Sequence, residues 1–185
     1  MILYVILGVA AAILVLFVVL YNRLVAMKRL TENAWADVDV YLKRRAELVP
    51  NLVEAVKGAA AYEKGTLERV VEARNHALAV RQPTAEKAAA ESELTTGLVR
   101  TVALAEAYPA LQANQNFLNL QKELSEVERL VASARQYYNA CVRDYNIMIE
   151  SFPQNMVAQS LGMRQKSFFE IEDITERNTP TVQGL

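Results

Sequence analysis

The N-terminal part of the chain is a single apolar run without a charged residue. It extends from Ile2 to Tyr21 with the sequence ILYVILGVAAAILVLFVVLY. A helix of about twenty residues is ~30 Å long, roughly the thickness of a bilayer's hydrocarbon core. In lipid such a helix also satisfies its own backbone hydrogen-bonding groups. The run therefore predicts a transmembrane anchor over residues 1–22, followed by water-soluble material.

Two other interpretations of the run fit less well. A cleaved signal peptide would begin with basic residues, have a shorter apolar core and end at a small-residue cleavage site. Here no Lys or Arg precedes the run, and only the weak Leu24-Val25-Ala26 resembles such a site. A buried helix of a soluble protein is rarely apolar on every face over five turns. We therefore expect the run to be retained as a membrane helix.

Basic residues near the anchor all follow it. Arg23, Lys28 and Arg29 lie directly beyond the run, and Lys43-Arg44-Arg45 lie further along. An excess of Lys and Arg marks the cytoplasmic side of a membrane segment. We expect a single-pass protein of the cell membrane, the inner membrane of a bacterium, with its soluble part in the cytoplasm. The first three cations are also placed to contact anionic lipid headgroups.

The composition favours long helices and excludes several function classes. The chain has only six Gly and five Pro among 185 residues, which is typical of an all-α fold. A net charge of −1 provides no basic field for nucleic acid. The single Cys141 and single His76 exclude a disulfide, a CxxC site and a His-rich metal site. No P-loop, GxGxxG or HExxH motif is present, so we expect no catalytic, cofactor or metal site and no enzymatic activity.

Heptad spacing of apolar residues predicts a helical bundle after the anchor. From Phe117 to Phe152 the apolar positions recur at alternating steps of three and four residues, a pattern that predicts a long helix packed against others. Pro153 should end this helix. Pro50 should kink an earlier helix near Ala46 or start a second one. The heptad positions of the later segment are Phe117, Leu120, Leu124, Val127, Val131, Ala134, Tyr138, Cys141, Tyr145, Met148 and Phe152.

The other predicted breaks complete the domain layout. Gln82-Pro83-Thr84 should separate two helices, and Tyr108-Pro109 should end the second of them. A short helical piece is expected from Asn155 to Leu161. We predict an antiparallel bundle over residues 23–165 and an extended tail over 166–185, with Ile171 and Ile174 among its apolar residues.

Two segments of the chain resemble the LemA family: Tyr21 to Asn75 and Ala107 to Glu170. The resemblance implies a single-pass membrane protein with a helical-bundle domain, and it carries no established enzymatic activity. The residues that carry the resemblance most specifically are also those we expect to form a structural or interaction motif. They are Trp35, Asp39, Lys43, Arg44, Arg45, Pro50, Asn51, Tyr138, Asn139, Tyr145, Asn146, Phe152 and Pro153.

Two of these motifs invite specific hypotheses. Arg45 falls on the apolar face of its helix, so it should pair with a carboxylate on another helix or near Asp39, or contact lipid or a partner. Tyr138-Asn139 and Tyr145-Asn146 are seven residues apart and share one helix face. They could form a buried polar ladder that fixes the register of neighbouring helices.

These features leave two function classes open. The first is a membrane-anchored scaffold that self-associates or docks a partner, such as another membrane protein, through its helices. The second is a protein that shapes or organises the bilayer itself. Gly8, Ala10, Ala11 and Ala12 are small enough for close contact between anchors, so a homo-oligomer is expected. The apolar-dotted tail could dock on a neighbouring subunit or on its own bundle.

Overall fold

A computed structural model describes residues 1–57 and 63–170 of the chain. The described residues form helices joined by short connections, with no strand among them, so the predicted all-α class is confirmed. The helices are α1 (Ile2–Lys57), α2 (Lys64–Ala79), α3 (Ala85–Glu106), α4 (Pro109–Gln112), α5 (Gln115–Glu150) and α6 (Gln154–Ser160).

The first part of α1 is the predicted membrane helix. Its most apolar window of eighteen residues has a mean hydropathy of 3.1, and none of that window is buried inside the protein. By length and composition the helix can cross a bilayer. An apolar surface of this size needs a non-aqueous neighbour, because exposing it to water is unfavourable.

Helix α1 continues without a break through Pro50, so the predicted start of a second helix at this residue is wrong. Proline lacks the N–H that would bond the carbonyl four residues earlier, which here is Ala46. Arg74 of α2 donates its Nε–H to that carbonyl oxygen at 2.8 Å. The lost backbone bond is therefore replaced by a side chain, and the ring of Pro50 lies on the exposed face.

Local signals at the other helix ends agree with the predicted breaks. The Thr84 side chain accepts a hydrogen bond from the Lys87 backbone N–H at 3.2 Å, which caps the start of α3. Helix α3 ends just before Tyr108, and Pro109 occupies the first turn of α4. Helix α6 begins and ends one residue earlier than the sequence pattern predicts.

The chain divides into two compact units. Unit 1 contains Met1–Val38 and Ser133–Phe168. Its core gathers Leu24 from α1, Tyr145 and Ile149 from α5, and residues of α6. Trp35 of α1 meets Tyr138 of α5 edge to face, with ring centroids 5.4 Å apart. These two sets of contacts make α1 and α5 antiparallel within unit 1.

Among the described residues, unit 2 contains those between Asp39 and Ala132 together with Phe169 and Glu170. Its core is built from α1, α2, α3 and the first half of α5, and it also includes Leu111 of α4. Gly97 of α3 lies against α2, where an added Cβ would come within 3.2 Å of the Val70 side chain. A larger residue at position 97 would therefore push α2 and α3 apart. The buried core residues are Val49, Leu52, Val56, Leu67, Val70, Ala73, Ala77, Ala90, Leu94, Leu98, Ala105, Leu111 and Phe117.

The heptad pattern of α5 matches burial except at its last position. Phe117, Val127, Val131, Tyr138, Cys141 and Tyr145 are buried, and the remaining positions up to Met148 are partly buried. Phe152, by contrast, is 79% exposed, because α5 ends at Glu150 and the chain turns before this residue. Its predicted place on the packed face is therefore wrong.

The chain after α6 has no helix or strand as far as Glu170, in agreement with the predicted extended tail. Phe169 is fully buried, whereas Phe168 is about half exposed. The remaining tail residues, Ile171 and Ile174 among them, lie outside the described residues.

Candidate functional site

Four charged residues of unit 2 form a cluster in its interior, which we call the charge cluster. Arg45 comes from α1, Lys87 and Glu91 from α3, and Glu128 from α5. The exposed fractions of the Arg45, Glu91 and Lys87 side chains are only 1%, 2% and 4%, and that of Glu128 is 37%. Burial this complete is rare for charged side chains unless they are paired.

Glu91 lies at the centre of the charge cluster. One carboxylate oxygen accepts a hydrogen bond from Arg45 Nη2, and the other lies 2.7 Å from Lys87 Nζ. Arg45 Nη1 donates to both carboxylate oxygens of Glu128, at 2.9 and 3.1 Å, and to the Thr95 hydroxyl at 3.0 Å. Lys87 also donates to the carbonyl oxygen of Ala77 at 2.7 Å.

The charge cluster is electrically balanced, with two cations and two carboxylates. Its hydrogen bonds link α1, α3 and α5, and Lys87 extends them to α2. Only Nε of Arg45 is buried without a partner among the described residues of the cluster. A balanced and almost fully bonded set of buried charges stabilises one arrangement of helices, since any shift would leave a charge unpaired.

The neighbours of Arg45 in the basic motif lie at the surface. Lys43 pairs with Asp39 one turn earlier, at 2.6 Å, and Arg44 is exposed. The acidic partners of Arg45 are thus on α3 and α5, and Asp39 is not among them. Asn51 is also exposed.

A second polar site, in unit 1, receives the tail; we call it the tail cradle. Asn146 of α5 binds the backbone of Lys166 twice, since its Oδ1 accepts from the N–H and its Nδ2 donates to the carbonyl, each at 2.9 Å. The Tyr138 hydroxyl donates to the carbonyl oxygen of Ser167 at 3.2 Å. Asn146 therefore binds the tail and Asn139 is half-buried, while the polar ladder between helices stays a prediction.

The Lys166 side chain also belongs to the tail cradle. Its ammonium group donates to the Thr31 hydroxyl and to the Lys28 carbonyl oxygen, and it lies 5.4 Å from the centre of the Tyr145 ring. Burial lowers the pKa of Lys166 from its ordinary value, and the same desolvation raises the pKa of Tyr138. The tail thus docks on its own unit through Lys166 and Ser167.

The cations predicted to contact lipid are accessible. Arg23 and Lys28 are exposed, and Arg29 pairs with Glu32 on the helix surface at 2.9 Å. A surface pair of this kind is worth little energetically, so Arg29 can exchange Glu32 for another anion. Lipid contact by these three residues stays a prediction.

The remaining reactive side chains do not assemble into a reaction centre. Cys141 is a buried free thiol, and His76 lies at the surface 3.2 Å from Glu93. Within residues 1–57 and 63–170, no group of three or more His, Cys, Asp or Glu side chains could hold a metal ion. The charged groups of the cluster bond mainly to one another, and the hydroxyl beside them, that of Thr95, donates to the carbonyl oxygen of Glu91 at 2.9 Å.

The sequence interpretation missed Lys87, Glu91 and Glu128 of the charge cluster and Lys166 and Ser167 of the tail cradle. Lys87 and Glu91 are four residues apart on α3, a spacing that also occurs in ordinary surface pairs. Their one distinctive signal is position, because Glu91 directly follows Ala90 on the apolar face of the helix. For Lys166 and Ser167 there was no signal, since Asn146 and Tyr138 bind their backbone atoms, which every residue has.

Replacing Asn146 with alanine should release the tail. The change removes both hydrogen bonds to the Lys166 backbone, and an unsatisfied polar group costs about 1–3 kcal/mol. We expect faster exchange of the Lys166 amide hydrogen by mass spectrometry. Asn119→Ala is the matched control, because Asn119 is exposed and accepts a hydrogen bond from Gln115 one turn earlier on the same helix. Unchanged exchange in Asn146→Ala would show that the cradle does not hold the tail.

The fold and these sites define a class of protein. A long exposed apolar helix continues into helical units whose polar interior serves packing, which describes a membrane-associated all-α protein. The model of the LemA family matches residues 34–183 of this chain. The chain therefore belongs to the LemA family.

Similar proteins carry two different names. Magnetosome protein MamQ 2 of Paramagnetospirillum magneticum is 25% identical over 175 residues, covering 81% of this chain and 64% of that protein. Magnetosome protein MamQ of Magnetospirillum gryphiswaldense is 23% identical over 174 residues, covering 80% and 64%. Protein LemA of Metamycoplasma hominis is 23% identical over 160 residues, covering 86% and 73%. The chain thus spans less than two thirds of the magnetosome relatives.

Proposed function

We propose that this protein is a non-enzymatic, membrane-anchored helical scaffold that self-associates or docks partners at the membrane surface. One observation carries the proposal: the exposed apolar run and core residues of both units belong to the single helix α1. Leu24 of this helix lies in the core of unit 1, and Val49 in that of unit 2. A helix shared in this way fixes a folded domain close to the bilayer.

The chemistry of the two polar sites supports a structural role. In the charge cluster, each carboxylate already accepts from a buried cation. In the tail cradle, Asn146 and Tyr138 bind backbone atoms of the chain itself. Catalysis by acid, base or nucleophile needs a group free to exchange a proton or bond with substrate, and these groups are occupied.

We also propose that the soluble units lie in the cytoplasm. The support is the run of exposed basic residues that follows the anchor, including Arg23 and Lys28. A cysteine introduced at Ser160, which is exposed, should resist a membrane-impermeant maleimide in intact cells and react after lysis. Cys141 is buried and provides the unlabelled background. Labelling of Ser160→Cys in intact cells would place the domain on the outer side.

Self-association through the anchors is the finer part of the proposal. Gly8 and Ala12 are four residues apart, the spacing at which small residues let two membrane helices approach closely. A Cβ added at Gly8 would have no other atom of the described chain within 4 Å, so this face of the helix is open to a neighbour. Confinement in a membrane raises the effective concentration, so even weak contacts between anchors would assemble the protein.

Bulky residues at these positions should dissociate such an assembly. We expect the wild-type protein in mild detergent to show the mass of several chains by light scattering, and Gly8→Ile with Ala12→Ile to show that of one chain. Leu7→Ile with Leu14→Ile is the control, because it changes shape without filling the small-residue face. A wild-type mass of one chain would exclude self-association and favour docking of a different partner.

A further inference from the structure

An uncharged and exposed stretch lies between α5 and the tail. The chain carries no charged residue between Glu150 and Arg164, although 22% of all residues are charged. The stretch includes α6, and three of its large apolar side chains face outward: Phe152 is 79% exposed, Met156 65% and Leu161 40%. We call these three residues the apolar edge. An exposed apolar patch next to an uncharged surface is typical of a contact with another molecule or a membrane.

The other side of α6 packs beside the end of the anchor. Val157 and Ala158 are buried in the core of unit 1, which also includes Leu24 of α1. Leu20 packs against the same cluster, and it belongs to the last turn of the apolar run. Helix α6 is therefore held next to the point where the anchor leaves the bilayer.

The register of the antiparallel helices α1 and α5 shows where the apolar edge lies along the length of the anchor. Trp35 lies opposite Tyr138. The last residue of α5, Glu150, follows Tyr138 by as many residues as Arg23 precedes Trp35, so the chain turns into Phe152 close to the end of the apolar run. Because the apolar run is about as long as the hydrocarbon core is thick, its end lies at the boundary with the headgroups. The apolar edge is consequently at this boundary too.

We propose that the apolar edge inserts into the bilayer surface and forms a second lipid contact beside the anchor. This inference rests on the proposed anchoring of the chain in a membrane. The bilayer is the occupant because α6, which carries part of the edge, packs beside Leu20 and Leu24 at the end of the apolar run. Phe152, Met156 and Leu161 can enter the boundary region while the exposed Gln159 stays among the headgroups, and no charge has to be desolvated.

Spin labelling of the full-length protein can test the proposal. In a Cys141→Ala background, single cysteines would replace Phe152 at the edge, Phe17 in the anchor, and Val99, which is 63% exposed in unit 2. Each variant would be labelled and reconstituted into vesicles of phosphatidylcholine and phosphatidylglycerol. Collision with oxygen, which concentrates in lipid, is then compared with collision with a nickel chelate, which stays in water.

The expected oxygen-to-nickel ratio at 152 is several-fold higher than at 99 and lower than at 17. A label at Met156 repeats the measurement in case the change at 152 disturbs the turn, and it should give the same order. A ratio at 152 and 156 equal to that at 99 would overturn the proposal, and so would low collision rates with both reagents, which indicate a protein contact. If 17 also shows no lipid contact, the anchoring itself is wrong.

Discussion

Replacing Glu91 with glutamine is expected to lower the free energy of unfolding by about 3–5 kcal/mol, the cost of leaving a buried charge without its partner. Glu91 pairs with both Arg45 and Lys87, and all three side chains are at least 95% buried. A glutamine amide would also turn its N–H₂ group toward one of the two cations. The measurement is urea unfolding of the full-length protein in detergent micelles, followed by circular dichroism.

Two further variants separate this effect from a general loss of charge. Glu126→Gln removes the same charge from α5 at a surface pair with Arg129, and it should leave the unfolding midpoint unchanged. Changing Arg45, Lys87 and Glu91 together to methionine should be tolerated far better than Glu91→Gln alone, because it removes the desolvated charges along with their pairing. Equal midpoints for Glu91→Gln and the wild type would mean that the charge cluster does not stabilise unit 2.

Arginine at both Val9 and Ile13 should release the protein from the membrane. These residues lie in the middle of the apolar run, and both side chains are exposed. Each arginine at the centre of a membrane helix costs about 2.5–3.5 kcal/mol on the insertion scale, so the pair adds about 5–7 kcal/mol. We expect the double variant in the soluble fraction after alkaline extraction, where the wild type remains in the pellet.

The matched control for this prediction places the same charges outside the bilayer. Val40→Arg with Val99→Arg uses exposed positions in unit 2, and the protein should stay in the membrane fraction. Recovery of the Val9 and Ile13 double variant in the membrane fraction would contradict anchoring by this helix.

The parts of the fold that the sequence predicted are those determined by local chemistry. The uncharged run from Ile2 to Tyr21 forms a helix that is long and apolar enough to cross a bilayer, because length and composition alone set that requirement. The cap at Thr84 and the helix ends near Pro109 and Pro153 follow from the bonding capacity of single residues. Heptad spacing likewise predicted the packed face of α5 without knowledge of its neighbours.

Contacts between distant segments could not be predicted in this way. Nothing near Arg45 indicates that its partners are Glu91 and Glu128, because the pairing depends on how α3 and α5 pack against α1. The same holds for Pro50, whose orphaned carbonyl at Ala46 is bonded by Arg74 of another helix. The expected effect of proline applies to an isolated helix. Here the neighbouring helix α2 supplies, through Arg74, the N–H donor that Pro50 lacks.

The contact between the tail and α5 in the tail cradle was also not predicted from the sequence. Asn146 and Tyr138 stand out in the sequence, and the role predicted for them was a ladder between helices. Both side chains bind the backbone of a segment with no periodicity of its own. Polar residues on a packed helix face indicate that something polar lies opposite, and the sequence does not identify which segment that is.

The continuity of α1 between the apolar run and Leu24 has a rotational consequence. An α-helix turns by about 100° per residue, so a helix without an intervening loop fixes the angle between the side chains along it. Gly8 therefore faces a set direction relative to Leu24, whose side chain lies in the core of unit 1. A neighbouring helix that binds one face of the anchor therefore also fixes the orientation of unit 1 about the membrane normal.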